Sequence, residues 1–466
     1  MTKAAFKSAT ELRSMLTTRQ ISALEIIEEC ESQIDRHNAT LNAIVTLDLD
    51  HAREVAKRSD IDVEDEGLLN GIPIVVKDVF NTRGLRSTFG NSLYKDHIPD
   101  FDDIVVERER AAGAIIVGKS NTPDCASGGR TQNTIFGLTR NPWDHSKTTS
   151  GSGGGGTVAV ATGMAPLADG SDVGGSVRSP GGWTNVVGFR PTSGRIPGLI
   201  GSIADGRTST SGIFSRTVQD AALFLEAVEG PDPRCPVPLV SGDAVRHQQL
   251  DLKPQGLAIT WVQNFANLAI ADEISTEFQA LAKVMQEAGF TIIKRDFDPC
   301  VGTGINFKKT YSDFTGYACL VGLPKKVRDN FLAGGETKYS IANAVNRYLS
   351  LDSFDIYQLF DTRNQLARIT QSFMQQTPII ASPMHLGHAF DAEDQNAEDT
   401  TEWGPMFHAP MLSLPSICVP GGFTRDGMPH GVMFTARCGQ DQLLLQVARA
   451  FERATGFGQL LPPRIG

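Results

Sequence analysis

No apolar run in these 466 residues approaches the roughly 20 that span a bilayer, and the opening MTKAAFKSATELRSML lacks the apolar core of a secretory leader. A cytoplasmic chain with no membrane partner is expected. Clustered basic charge is also missing. Lys and Arg number 43 against 53 Asp and Glu, a formal net charge of −10, the wrong balance for displacing counterions from a phosphate backbone. Nucleic acid is therefore not expected as a direct partner. The seven cysteines (30, 125, 235, 300, 319, 418 and 438) are odd in number and never spaced C-x-x-C, which speaks for reduced thiols and against a disulfide framework or a zinc site. No feature sets an oligomeric state.

What is present is a chain with 40% hydrophobic and 21% charged residues, enough for a large core. SALEIIEECESQIDRHNA predicts a helix, with Ser22 and Glu25 in capping-box spacing and Ile27, Cys30 and Ile34 on one face. GIPIVVKD and AIIVG are short continuous apolar runs of strands buried on both faces, and DIVVERERAAG between them reads as a helix. The alternation returns near the C-terminus. DIYQLFDTRNQLARITQSFMQQ predicts a helix, PIIASP, PSICVP and GVMFTAR strands, and DQLLLQVARAFERATG a helix ending at Gly456. An α/β sheet covered by helices follows, with strands from both ends of the chain. Residues 230 to 350 look less regular, apart from a helix in DEISTEFQALAKVMQEAG and a strand in TIIKRDF; this region is expected to build much of a substrate pocket.

Several patterns match short motifs without the context those motifs need. GAIIVGKS (113 to 120) fits G-x-x-x-x-G-K-[ST], but Ala114 to Val117 read as a strand where a P-loop needs a loop exposing its amides. GSGGGG fits G-x-G-x-x-G through Gly151, Gly153 and Gly156, yet no strand precedes it. Ser92 and Lys95 have Ser-x-x-K spacing with no accompanying K-T-G. His385 and His388 lie near Asp391 and Glu393, but in a Gly- and Pro-containing loop that does not fix ligand spacing.

The glycines of TTSGSGGGG (148 to 156) pose a sharper question, because glycine loses more conformational freedom on folding than any other residue. Such a run must serve backbone geometry or an approach that a Cβ would block. A second glycine-serine element, GSDVGGSVRSPGG (170 to 182), follows after a small-residue helix and a short strand, so Ser152 and Ser176 are candidates for adjacency. The amides of Val173, Gly174, Gly175 and Ser176 can turn toward one point as an anion-binding nest, which an acyl-transfer oxyanion requires. A serine nucleophile needs a base. Lys77 ends the apolar run IPIVV, where desolvation would lower its pKa; a strand-end pair with Asp78 is the other reading of that lysine. His145 is the histidine nearest the glycine run.

In this order and spacing, GIPIVVKD, GKSNTPD, FGLTRNPWD, SGSGGGG and GSDVGGSVRSP resemble the amidase signature family of Ser-cisSer-Lys hydrolases, over about Leu69 to Pro197. LSLPSICVPGGFTRDGMPHGVMF and LLQVARAFERATGF resemble the family's ending, whereas 230 to 370 match no motif. The resemblance implies an α/β fold with a central mixed twisted sheet covered by helices on both faces, in a single domain spanning 1–466. Its parts would be an N-terminal helical part (1–68), a signature core (69–230), a variable pocket region (231–370) and the C-terminal part of the sheet (371–466). It implies Ser176 as nucleophile, Ser152 as bridging serine on a cis peptide after Gly151, and Lys77 as base. It further implies an oxyanion hole at residues 173 to 176, substrate held by backbone near Ala126, and an Asp172–Arg178 ion pair bracing the turn. The implied reaction cleaves an amide, ester or carbamate of a small-molecule substrate through an acyl-enzyme, with no metal or organic cofactor. The other reading of the same motifs is a glutaminase-type A subunit of a tRNA-dependent amidotransferase; a nucleotide-binding protein built on GAIIVGKS is a third. Two positions depart from the family: Gly153 stands where a second serine is usual, and Gly156 where Ser or Glu is common.

Overall fold

Runs of β-branched residues without polar alternation become strands buried on both faces. The computed structural model describes residues 4–61, 67–198, 208–235, 242–300, 303–334, 342–394, 404–463 and 465. Its N-terminal strands are Ile44–Leu47 (β1), Pro73–Lys77 (β2), Ile115–Ser120 (β3), Gln132–Asn133 (β4), Gly137–Leu138 (β5), Leu167–Asp172 (β6), Val187–Arg190 (β7) and Thr210–Ser215 (β8). Later come Ala258–Phe265 (β9), Thr291–Phe297 (β10), Ile379–Pro383 (β11), Ser416–Phe423 (β12) and Pro429–Ala436 (β13).

Eleven of them form one sheet in the order β1-β3-β2-β6-β8-β7-β12-β13-β11-β9-β10, with β4 and β5 as a separate pair. The sheet is mixed. Parallel pairing is confined to β3-β2-β6 and β11-β9-β10, the two places where strand and helix alternate in the sequence. Between them every pairing is antiparallel, and the halves of the chain join where β7 meets β12. Side chains alternate between two apolar layers. Ile74, Val76 and Ile116 pack with the helices at 218–228 and 441–455, while Val75, Ile115 and Val117 pack with those at 23–41 and 154–161.

The expected helix signals act locally. Ser22 and Glu25 close a reciprocal capping box on Ala23–Leu41, and Gly456 ends Asp441–Thr455 in the left-handed conformation. Residues 230 to 350 are more regular than the sequence suggests: Phe307–Gly322, Lys325–Leu332 and Ala342–Leu349 are helices. Phe, Tyr, Thr, Val and Gly in the first of these have modest helix propensity and obscure its pattern; packing of Phe314 and Tyr317 against Leu359 and Leu366 overrides it. Among the described residues, no helix is long and apolar enough to cross a membrane.

The GKS of GAIIVGKS is strand. Gly118 sits where β1 crosses β3, and a Cβ there would lie 2.3 Å from the Thr46 carbonyl oxygen. Lys119 is fully buried, its ammonium donating to Thr82 Oγ1 at 2.7 Å and Ser87 Oγ at 3.2 Å. No phosphate-cradling loop exists there. Ser92 is exposed on the single turn Ser92–Tyr94 and does not itself line the cavity described below.

Candidate active site

Because β2 and β6 run parallel as neighbours, they end on the same edge of the sheet and bring Lys77 next to Ser171. Lys77 is fully buried, with Nζ 2.7 Å from Ser152 Oγ and 3.0 Å from Ser171 Oγ. Burial pushes its pKa down to about 7, against the opposing pull of Asp169 and Asp172. The pair with Asp78 does not form. That carboxylate instead accepts from the Thr88 amide at 3.1 Å and from its hydroxyl. The backbone N–H of Lys77 donates to Asp169 Oδ1 at 2.5 Å. Burial raises the Asp169 carboxyl to about 7, and burial next to that carboxyl holds Glu109 well above the usual carboxylate range.

Ser152 follows a cis Gly151–Ser152 peptide. The Gly153 N–H donates to the Ser176 carbonyl at 3.1 Å, so the two glycine-serine elements meet as the sequence suggests. The run is packed on backbone: a Cβ on Gly151 would lie 2.5 Å from the Gly128 carbonyl oxygen, and one on Gly155 2.4 Å from the Asn121 nitrogen. Gly154–Ala161 is already helix, so the helix begins inside the run and not after it. The departures at Gly153 and Gly156 share a cause. Phe214 of β8 fills the space a side chain would need, with ring carbons 2.3 Å and 3.0 Å from the two Cβ positions.

After β6 the chain turns tightly around Asp172, which accepts from Gly175 N–H at 2.9 Å and Val177 N–H at 3.2 Å. Arg178 clamps the same carboxylate at 3.0 Å and 3.1 Å, and Arg190 stands 3.5 Å away. Burial opposes the charge, but Arg178 and Arg190 outweigh it and hold the carboxyl at about 2. One expectation is corrected here. Gly175 does not offer a free amide for an oxyanion, because Asp172 already takes it. Among the described residues, the amides of Val173, Gly174 and Ser176 have no acceptor within the protein.

Ser152, Ser171, Val173, Ser176 and Ala126 all open on one cavity of about 710 Å³. Ala126 and Cys125 both have positive φ, of 57° and 49°; the Ala126 amide donates to the Pro123 carbonyl. The variable region supplies one wall through Ala318, Cys319, Leu323 and Arg328. Phe80, Asn81 and Phe89 show that much of the lining comes from the 69–230 part instead. His145 does not line the cavity, and its carbonyl accepts from Arg140. His385 stacks on Trp183 at 3.9 Å and joins Ser179 Oγ at 2.8 Å, which contacts Ser150 Oγ at 2.5 Å. Among the described residues, no group of His, Cys, Asp and Glu is arranged to hold a metal.

Sequence reasoning missed Ser171, Asp169, Glu109 and Arg190. Ser171 and Asp169 lie just before or within a motif already singled out, and the parallel β2/β6 pairing is the signal that would have found them. Glu109, inside DIVVERERAAG, reads as a surface carboxylate but is fully buried.

The sequence profile of the amidase family matches residues 25–445. An acylamidase of Rhodococcus erythropolis is 30% identical, covering 98% of this chain and 97% of its own. The glutamyl-tRNA(Gln) amidotransferase A subunit of Ralstonia nicotianae is also 30% identical, covering 96% and 97%. Among solved structures, a 6-aminohexanoate cyclic dimer hydrolase superposes with a TM-score of 0.87 at 24% identity over 99% of this chain and 100% of its own. A bacterial aryl acylamidase gives 0.87 at 24% over 97% and 98%. These two structural likenesses concern the fold.

Proposed function

The chain belongs to the amidase family, and on that premise we propose that it is a free-standing serine amidase whose proton relay is Lys77, Ser152 and Ser176. The observation that carries the reading is a fully buried lysine, with a pKa near 7, 2.7 Å from a serine that shares a cavity with Ser176. Neutral Lys77 accepts the proton of Ser152 as Ser152 accepts that of Ser176, and Ser176 Oγ attacks the amide carbonyl. The developing oxyanion faces the amides of Val173, Gly174 and Ser176, while backbone at Ala126 holds the substrate. Ser152 then returns a proton to the leaving amine, and water resolves the acyl-enzyme along the same relay. Esters and carbamates present the same carbonyl geometry and fall within this scheme. No step calls on a metal or an organic cofactor. Seven cysteines outside any disulfide support a cytoplasmic setting.

The similarity to an amidotransferase A subunit supports a second reading, in which the chain works only within a complex. Apolar walls at Phe89, Phe101, Ile196 and Leu323 favour the free hydrolase, because they suit an acyl or aryl group better than the side chain of glutamine. Fluorophosphonate labelling followed by peptide mapping tests the nucleophile: the label is expected on Ser176, and a label on Ser152 or Ser92 overturns the assignment. A panel of chromogenic anilides, esters and carbamates offered to the purified chain alone separates the two readings. The free hydrolase turns some of them over unaided; a component of a complex requires its partner.

A further inference from the structure

Among the described residues, three formal charges line the cavity: Asp103, Lys325 and Arg328. Two are engaged. Asp103 accepts from the Asn81 amide at 2.8 Å, and Lys325 pairs with Asp329 at 2.5 Å. The guanidinium of Arg328, partly buried, makes no hydrogen bond or ion pair with any described residue. It lies on the helix Lys325–Leu332, which directs three cations and no anion into its first four residues. Lys326 lies over the Tyr94 ring, 5.5 Å from its centroid. Tyr94, Phe89 and His97 also line the cavity and pack edge to face, with centroids 5.0 Å (Phe89–Tyr94) and 5.3 Å (Tyr94–His97) apart.

This is an apolar, aromatic surface beside an unpaired, planar, permanently charged donor. A guanidinium recognises a carboxylate with two parallel N–H···O bonds, and it is less strongly hydrated than an ammonium, so a partly buried one suits an anionic ligand. The placement matters more because the chain as a whole carries −10: its general field disfavours anions, and only a local concentration of positive charge draws one in.

We propose that the amide substrate carries a carboxylate, which pairs with Arg328 while its apolar body rests on Phe89 and Tyr94. The inference rests on the amidase reading of the same cavity. Two matched series test it: 4-acetamidobenzoate with its methyl ester, where the acid is on the amine half, and N-phenylsuccinamic acid with its methyl ester, where it is on the acyl half. Binding to Ser176→Ala protein is read by calorimetry and turnover by wild-type kcat/KM. In at least one series the acid is expected to exceed its ester about tenfold in both measurements. Arg328→Gln should bring that ratio close to one, and Arg328→Lys should recover part of it, which distinguishes a charge contact from damage to the helix.

Equal binding of acid and ester, binding of neither, or a ratio that survives Arg328→Gln overturns the anion subsite. Turnover of the neutral esters in the same experiments leaves the amidase reading standing. Absence of all anilide turnover together with no fluorophosphonate label on Ser176 counts against the amidase reading instead, and calorimetry on the Ser176→Ala protein still decides the subsite.

Discussion

Lys77 is useful as a base only when neutral, and burial brings its pKa to about 7. In the relay proposed above, kcat/KM should rise with pH along a single ionisation near 7, since protonated Lys77 cannot accept from Ser152. Asp169 pulls that pKa upward, so Asp169→Asn should move the acid limb to lower pH; a limb that stays or moves up contradicts the coupling. Lys77→Ala should reduce acylation by orders of magnitude, comparably to Ser176→Ala, because groups acting as a unit fail as a unit. His145→Ala, outside the cavity, should acylate at close to the wild-type rate. The residues of the proposed relay are legible because each carries a local mark: a lysine closing an apolar run, and serines within glycine turns. Ser171 and Asp169 reach Lys77 across 94 and 92 residues, and local spacing carries no trace of such contacts.

At the level of elements, the glycine run shows why sequence alone gives only part of an answer. A need for close approach is readable from five glycines between Ser150 and Gly156; what approaches is not. The neighbours are the backbone of residues 121 and 128 and the Phe214 ring, brought in by sheet order. Likewise β2, β3 and β11 to β13 announce themselves as apolar runs, whereas β7 and β8 carry Gly, Ser and Thr and do not. Gly153→Ala tests the packing. Its Cβ would meet the Phe214 ring at 2.3 Å and the Ser176 carbonyl at 2.7 Å, and overpacking of this kind costs roughly 1–3 kcal/mol. Phe214→Leu in the same chain should restore part of the stability, as coupled neighbours do, and little of the activity, because the contact with the Ser176 carbonyl remains. Denaturant unfolding and acylation rates measured on both variants separate the two effects. Full recovery of activity would show that only Phe214 stands in the way of a residue at this position.

On the scale of the molecule, the site occupies the shared carboxyl edge of β2 and β6, where an ammonium, two carboxyl groups and an arginine-clamped aspartate are all removed from water. Such an arrangement favours chemistry at the expense of stability, and the linkage can be worked out for Lys77. In the unfolded chain its pKa is near the ordinary 10.5 and in the folded protein about 7. Between these values the unfolded state holds a proton that the folded state has released, so this residue's contribution to stability rises with pH across that window. Below 7 both states are protonated, and the folded state bears the full penalty of a buried ammonium, on the order of 3–5 kcal/mol. Lys77→Met keeps the stem's volume and removes the charge. The variant should therefore be inactive yet more stable than wild type, with the largest gain in unfolding free energy at or below pH 7 and the gain shrinking steadily toward pH 10.5. Denaturant melts of both proteins at several pH values measure the difference directly. A Lys77→Met protein that is less stable than wild type at pH 6, or a difference independent of pH, would mean that Lys77 is held as a paired cation and is not the neutral base on which the relay depends.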